Sequence, residues 1–160
     1  MPPIPSASII VPRAGHSLYP ENARIEESRL VAVSRPVVLV DAYNVMRSRW
    51  PNLAPDRFVE LAQAWAQRED VHVLVVFDGA APGGVGGRAD VDERVTLAGT
   101  GPGSADDWIV SEAERLAAEG AVTWLVSSDR LLRRRAAPFV QRTIGGGAFA
   151  GLLADLKSVE

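Results

Sequence analysis

Three continuous runs of apolar residues, with helix-like sequence between them, constrain the fold of this chain more than any other feature. The runs are PVVLV at 36–40, VHVLVVF at 71–77 and AVTWLVSS at 121–128. Each has the length of a β-strand and does not alternate regularly between apolar and polar residues, which is typical of strands buried on both faces. Such strands belong to a parallel sheet that is covered by helices.

The segments between these runs have the periodicity of amphipathic helices. In 54–68, Pro55 lies in the first turn and is followed by four apolar residues at helical spacing. These four residues are Phe58, Leu61, Ala62 and Trp65. A second helix is predicted over 104–120, where Gly120 ends it, a short one over the arginine-rich segment, and a final one over 148–156.

Three less regular segments complete the domain. The glycine-rich 79–90 lacks the G-K-[ST] of a P-loop and is predicted to be a flexible connection. The segment 93–99 is predicted to be a short edge strand, and 139–144 a further strand. The resulting order, βαβ(β)αβαβα, predicts an α/β fold with three layers, α/β/α, around a mainly parallel sheet.

Residues 1–34 differ from the rest of the chain, because they contain five of the eleven prolines and have no sustained apolar period. We predict that they form a flexible N-terminal extension and that 35–160 forms one domain. A chain of 160 residues is long enough for one well-buried core and too short for two ordinary domains.

The composition excludes several kinds of site and location. With no cysteine, disulfides are excluded, and with only two histidines any metal ion must be held mainly by carboxylates. No apolar run approaches the ~18 residues that cross a bilayer, and residues 1–15 lack the features of a signal peptide, which favours a cytoplasmic protein. The net charge of −3 gives no overall attraction to nucleic acid, but DRLLRRR at 129–135 is a local basic cluster.

Each of the three apolar runs ends at an aspartate, namely Asp41, Asp78 or Asp129. The carboxyl ends of parallel strands lie at one edge of the sheet, where α/β proteins bind their ligands. Carboxylates held close together repel one another unless a cation neutralises them. The pattern therefore predicts a metal site, although a single aspartate at a strand end is more often a helix cap or a turn residue.

A fourth acidic residue comes from SADDWIV, at the start of the second helix. Ser104 and Asp107 fit the S-x-x-D pattern of a capping box. The apolar arc of this helix is formed by Ile109, Val110, Ala113, Leu116 and Ala117. Asp106 falls at the centre of that arc. We therefore assign Asp106 to the site, facing the sheet, and Asp107 to helix capping.

Carboxylate ligands suit Mg²⁺ or Mn²⁺, which takes oxygen ligands and keeps several bound waters. A metal of this kind lowers the pKa of a bound water and stabilises charge on phosphate oxygens, so phosphodiester hydrolysis is the reaction that fits. A phosphatase of the haloacid-dehalogenase type is set aside, because it requires D-x-D after the first strand, where this chain has Asp41, Ala42 and Tyr43.

Other polar residues near the strand ends each allow two interpretations. Asn44 either closes an Asx-turn or contacts substrate. The arginines at 133–135 form either a solvated helix face or a phosphate-binding surface close to Asp129. Trp108 either packs against a loop or stacks on a base.

Four motifs in sequence order, VVLVDAYNVM, VLVVFDGA, SADDWI and VSSDR, resemble the NYN domains of the PIN-like nuclease superfamily, in particular the YacP-like group. The resemblance covers about residues 36–157. It departs from the family pattern mildly, with Ala42 in place of a glycine and with Ser104 and Ser127 in place of threonines. No acidic position of the pattern is missing.

The resemblance implies a metal-dependent endoribonuclease. The implied catalytic and metal-binding residues are Asp41, Asp106 and Asp129, with Asp78 as a fourth member. The implied substrate-binding residues are Asn44, Ser128, Arg130, Arg133 and Arg134. Members of this group act on RNA, in some cases in association with ribosomes, so RNA is the expected partner. The alternative is a PIN-like RNA-binding or ribosome-associated module without useful catalysis.

Overall fold

A six-stranded sheet lies between two layers of helices in this computed structural model, which describes residues 35–84 and 86–159, with side chains as far as 156. The strands are β1 (Val37–Asp41), β2 (His72–Phe77), β3 (Gly87–Asp90), β4 (Val95–Gly99), β5 (Thr123–Val126) and β6 (Arg142–Ile144). Their order is β3-β4-β2-β1-β5-β6, and every pairing is parallel except the antiparallel β3–β4 pair. The extension predicted at 1–34 lies outside the described residues.

The helices cover both faces of this sheet. Those in the described residues are α1 (Ala42–Met46), α2 (Pro55–Glu69), α3 (Ala105–Ala118), α4 (Arg130–Ala136) and α5 (Gly146–Val159). Side chains of β1 alternate between the faces, so Val38 and Val40 lie in the core with α1, α2 and α5, whereas Leu39 lies in the core with α3 and α4. The predicted three-layer α/β/α architecture is confirmed.

The apolar face predicted for α2 forms much of one core. Phe58 and Trp65 are buried there, and the Trp65 ring meets Phe149 of α5 edge to face, with 4.9 Å between the ring centroids. Pro55 is the first residue of the helix. An N–H at this position would have no intrahelical partner, so proline, which lacks one, costs no hydrogen bond here. No helix in residues 35–84 or 86–159 has both the length and the apolar composition of a membrane span.

The structure corrects two predictions at one edge of the sheet. Gly87–Asp90, in the segment predicted to be a loop, forms the edge strand β3. The segment predicted to be the edge strand contains β4, which lies inside the sheet between β3 and β2 with all five residues buried. The reason is that β3 is short, polar and mostly exposed, so backbone pairing with β4 forms it and no apolar pattern marks it.

Candidate functional site

The four predicted acidic residues lie at the carboxyl edge of the sheet. Asp41 is the last residue of β1, Asp78 directly follows β2, and Asp129 follows β5 and begins α4. Asp106 is the second residue of α3. Asp41 is repelled electrostatically by Asp106 and Asp78, and Asp106 is repelled by Asp129 and Asp78. The fold thus brings all four carboxyl groups into one region of negative charge.

Asp41 is the most perturbed member of the group. The pKa of its carboxyl is raised from 3.8 to about 6, chiefly by burial and further by repulsion from Asp106 and Asp78. A hydrogen bond from Ser127 acts in the opposite direction by stabilising the ionised form. The folded protein therefore holds this carboxylate in an environment that favours a cation or a proton beside it.

The two adjacent aspartates of α3 have different surroundings. Asp106 is half-buried, and burial followed by repulsion from Asp129 and Asp78 raises its pKa. Asp107 is exposed and pairs with Arg135 at 2.8 Å, which together with a hydrogen bond from Ser104 lowers its pKa. Within the described residues Asp106 has no hydrogen-bond or ion-pair partner, so its charge remains available to a ligand.

The structure also corrects the predicted orientation of α3. Its buried residues are Ala105, Ile109, Glu112, Ala113 and Leu116. Asp106 therefore lies at the border of the buried arc and not at its centre. Glu112 is only 6% exposed, because Arg88 and Arg115 form ion pairs with it. Burial alone would raise the pKa of Glu112, but the hydrogen bonds from Arg115 and Arg88 outweigh it and lower that pKa.

Asp78 and Asp129 each use one carboxylate oxygen to hold the start of a helix. Asp78 Oδ1 accepts a hydrogen bond from the backbone N–H of Ala105 at 2.7 Å, which fixes the start of α3 beside β2. Asp129 Oδ1 accepts from the N–H groups of Leu131 and Leu132 at 2.9 and 3.1 Å. These bonds are helix caps, the role that a single aspartate at a strand end most often has. Capping by one oxygen leaves the other oxygen of each carboxylate for a ligand.

Ser127 connects two of the aspartates and was not among the predicted site residues. Its fully buried hydroxyl donates to Asp41 Oδ2 at 3.1 Å and accepts from the N–H of Asp129, also at 3.1 Å. The serine thereby orients the Asp41 carboxylate and fixes the backbone at Asp129. The polar Ser127-Ser128 pair at the end of an apolar strand is the sequence signal that marks this role.

Replacement of Ser127 by alanine tests this connection. We expect Ser127→Ala to lower the free energy of unfolding by about 1–3 kcal/mol, because it removes a hydrogen bond to a carboxylate and leaves the partly buried Asp129 N–H without a partner. Chemical denaturation at neutral pH measures the change.

Thr123 on the same strand provides the matched control. Its side chain is fully buried, and its hydroxyl has no hydrogen-bond partner within the described residues. Thr123→Val keeps the shape and removes the unsatisfied group, so the stability should stay equal or increase. Equal losses in Ser127→Ala and Thr123→Val would show that the Ser127 bonds contribute nothing specific.

Asn44 and Ser128, both predicted to bind substrate, form a second network across the site. Asn44 Oδ1 accepts from the N–H of Ser128 at 2.9 Å, and Ser128 Oγ accepts from the N–H of Gly146 at 2.8 Å. The bonds join α1, the loop after β5 and the start of α5. The Asn44 bond spans distant parts of the chain, so Asn44 does not close a local Asx-turn through it.

The predicted phosphate-binding arginines lie on α4, next to Asp129. Arg130, Arg133 and Arg134 are exposed, and none of their side chains forms an ion pair within the described part of the chain. Arg135 is instead paired with Asp107. Three unpaired cations beside a cluster of carboxylates are compatible with a polyanion that approaches the site from this side.

Trp108 is packed against protein. The guanidinium of Arg88 on β3 lies over the Trp108 ring, with Arg88 Cζ 4.9 Å from the ring centroid. This contact favours packing over base stacking as the role of Trp108.

The donor chemistry of the site fits a hard divalent cation, but the carboxylates do not surround one. Among residues 35–84 and 86–156, no three acidic or imidazole side chains are close enough to hold one ion directly. Mg²⁺ is commonly held by one or two carboxylates together with several waters, so this spacing suits an ion that is bound partly through water.

The mainly parallel sheet and its two helical layers match a PIN-like α/β/α fold, which is the fold that the sequence resemblance implies. The chain is similar to two solved structures of Rae1 (YacP) from Bacillus subtilis. One is a tryptophan-to-leucine variant, with a TM-score of 0.61 and 19% identity over 78% of each chain. The other has a TM-score of 0.55 and 20% identity over 77% of this chain and 76% of that chain.

Two comparisons of the sequence itself found nothing similar. No family model matches it, and no curated protein does. At 19–20% identity, the likeness to Rae1 establishes the fold. The resemblance to the YacP-like group is thus confirmed at the level of fold.

Proposed function

We propose that this protein is a metal-dependent endoribonuclease that hydrolyses phosphodiester bonds in RNA. The observation that carries the proposal is the convergence of four aspartates at the carboxyl edge of a PIN-like sheet, where Asp41 and Asp106 are repelled by their acidic neighbours. Like charges raise one another's pKa when they are held together, and a bound cation removes that cost. The structural likeness to Rae1 (YacP) supports the nuclease class.

Asp41, Asp106 and Asp129 would hold Mg²⁺ or Mn²⁺ partly through bound waters, with Asp78 as a fourth member of the set. When bound, the ion lowers the pKa of a coordinated water and stabilises negative charge on phosphate oxygens. Ser127 orients the Asp41 carboxylate for this task, and the capping bonds of Asp78 and Asp129 fix the positions of α3 and α4. The protein's contribution to the reaction is therefore a rigid, preorganised set of oxygen donors.

The substrate is held by the cations and amides that border these aspartates. Arg130, Arg133 and Arg134 would contact the RNA phosphates, which positions the strand without reading its sequence. Asn44 and Ser128 would act as positioning residues, because their side chains already bond to protein groups across the site. RNA, in some cases on the ribosome, is the substrate that the resemblance implies.

One observation favours a second function. Because no three carboxylates in the described residues surround a single ion, the site also suits a PIN-like RNA-binding module without useful catalysis. RNA binding together with absence of cleavage in Mn²⁺ and in Mg²⁺ would support this alternative.

The adjacent aspartates of α3 give a matched test of the proposed function. We expect Asp106→Asn to reduce Mn²⁺-dependent RNA cleavage about 100-fold or more, because loss of one metal ligand removes several kcal/mol of transition-state stabilisation. Asp107→Asn changes the same charge at an exposed position and should alter the rate only slightly. Thermal melting with and without Mn²⁺ gives a second readout, in which the wild type and Asp107→Asn are stabilised and Asp106→Asn is not.

Equal activities in the two variants would contradict the assignment of Asp106 to the site. Cleavage by the wild type that is unchanged by EDTA would contradict metal dependence.

A further inference from the structure

A tryptophan stands almost fully in solvent in the loop 47–52 after α1. Trp50 is 90% exposed, the highest exposure of any large hydrophobic side chain in the described residues. Single exposed apolar residues are common, but an indole of this size loses much hydrophobic stabilisation when it is left in water. Apart from Pro51, its neighbours in the loop are all polar or basic, with Arg47 and Arg49 on the amino-terminal side.

The base of this loop is held in place by hydrogen bonds. The N–H of Leu53 donates to the carbonyl of Met46 at 3.0 Å and closes the loop. The hydroxyl of Ser48 donates to the carbonyl of Val45 at 2.6 Å. Trp50 is therefore presented on a fixed base, which reduces the conformational entropy that a ligand would have to overcome on binding.

One short helix connects the loop to the acidic site. The loop follows α1, which begins directly after Asp41 and rises only about 7 Å over its five residues. On the other side, the loop packs on α5, since an ideal Cβ at Gly151 would lie 2.8 Å from the guanidinium of Arg49. The loop that carries Trp50 thus lies on the side of α1 and α5, whereas the arginines of α4 follow Asp129.

The two arginines of the loop are available for phosphate. Neither Arg47 nor Arg49 forms an ion pair within the described part of the chain. Arg47 instead lies over the ring of Tyr43, with Cζ 4.8 Å from the centroid, which orders the side chain and leaves its charge uncompensated. An exposed aromatic ring beside unpaired cations is the combination that binds single-stranded nucleic acid, because the base stacks while the backbone phosphates are neutralised.

We infer that Trp50, Arg47 and Arg49 form a subsite for one unpaired nucleotide of the RNA strand next to the cleaved phosphate. The base stacks on the Trp50 indole, and the adjoining phosphates contact the two guanidinium groups. This subsite rests on the proposed function, because it extends the same RNA path beyond the aspartates. It selects single-stranded over duplex RNA, since a paired base in a helix has both faces already stacked.

Binding measurements in EDTA test the subsite without cleavage. The probes are a fluorescently labelled, unstructured RNA oligonucleotide, the same strand with abasic residues, and an RNA duplex. Trp50→Ala should weaken binding of the unstructured strand about 5- to 100-fold and leave the abasic strand and the duplex unchanged. Trp50→Phe, which keeps an aromatic face, should retain most of the affinity. Combined Arg47→Ala and Arg49→Ala should weaken both single strands, because phosphates are present in each.

Val122→Ala is the control for loss of an exposed apolar side chain. Val122 is 39% exposed and precedes β5, at the opposite edge of the sheet. Equal affinities of Trp50→Ala and Val122→Ala for the unstructured strand would overturn the subsite and leave Trp50 as a contact for another protein. That result leaves the proposed function intact if the wild type still binds and cleaves RNA. If the wild type binds RNA but never cleaves it, and Trp50→Ala still weakens binding of the unstructured strand, the nuclease is contradicted and the subsite is retained.

Discussion

Replacement of Asp41 by asparagine is expected to reduce Mn²⁺-dependent RNA cleavage by at least about 1000-fold, a loss of about 4 kcal/mol of transition-state stabilisation. Asp41 is the most perturbed of the four carboxylates, and Ser127 orients it. Asparagine keeps the shape of the side chain and removes the charge that a metal requires. Initial cleavage rates of an end-labelled RNA at saturating Mn²⁺ measure the effect.

The same substitution should make the metal-free protein more stable at neutral pH. In the unfolded chain Asp41 loses its proton near pH 3.8, whereas in the folded protein its pKa is about 6. The stability of the wild type therefore falls as pH rises through this interval and stays reduced above it. The difference of about two pKa units corresponds to at most about 3 kcal/mol, and partial solvent screening lowers the expected gain to about 1–2 kcal/mol.

Denaturation of the wild type and Asp41→Asn in EDTA, at pH 5 and pH 8, separates the two effects. The stability advantage of Asp41→Asn should be larger at pH 8 than at pH 5. Loss of stability together with loss of activity would show instead that Asp41 supports the fold.

Replacement of Gly146 by alanine should disrupt the network that joins α1, α5 and the loop after β5. An ideal Cβ at Gly146 would lie 2.1 Å from Asn44 Oδ1 and 3.3 Å from the Asn44 carbonyl, so Asn44 must move and its bond to Ser128 must break. We expect a loss of about 1–3 kcal/mol in the free energy of unfolding. Cleavage should fall about 10- to 100-fold, because the shift reaches the residue beside Asp129.

Gly147→Ala is the matched control in the same turn of α5. An ideal Cβ there would meet only Ser48 Cβ at 4.0 Å, an ordinary contact. Alanine also favours a helix over glycine, so this variant should be equally active and more stable by up to about 1 kcal/mol. Chemical denaturation and initial cleavage rates measure the stability and the activity of Gly146→Ala and Gly147→Ala. Full activity in Gly146→Ala would show that the Asn44 bridge is not needed.

The sequence predicts the central part of the fold well, because the strands there are buried on both faces. The apolar runs that contain β1, β2 and β5 require burial, and their aspartates necessarily meet at one edge once the sheet is parallel. The helical spacing of Phe58 and Trp65 likewise predicts the buried face of α2.

Features that depend on pairing between distant residues could not be predicted in the same way. β3 carries no apolar pattern, because backbone bonds to β4 form it. Glu112 is buried only because Arg88, distant in sequence, neutralises it together with Arg115. The orientation of α3 depends on this contact, and so the apolar arc alone places Asp106 too far into the core.

In the candidate site too, some features can be predicted from the sequence and others cannot. The four aspartates can be predicted from their positions after strands and at a helix start, and their roles as metal ligands remain a prediction. The bonds of Ser127 to Asp41 and Asp129 depend on the neighbouring strands β1 and β5, whose pairing places the end of β5 beside Asp41. The exposure of Trp50 depends on a loop whose path no residue pattern specifies.

The most direct test of the proposed metal-dependent ribonuclease is cleavage of an end-labelled, unstructured RNA by the wild-type protein in Mn²⁺, in Mg²⁺ and in EDTA, beside DNA of the same sequence. We expect the wild type to cut the RNA at internal positions with metal and to make no cuts in EDTA, and we expect no cuts by Asp41→Asn. Uncut RNA under every metal condition, or identical products from the wild type and Asp41→Asn, would contradict the assignment of the four aspartates to a metal-dependent ribonuclease site.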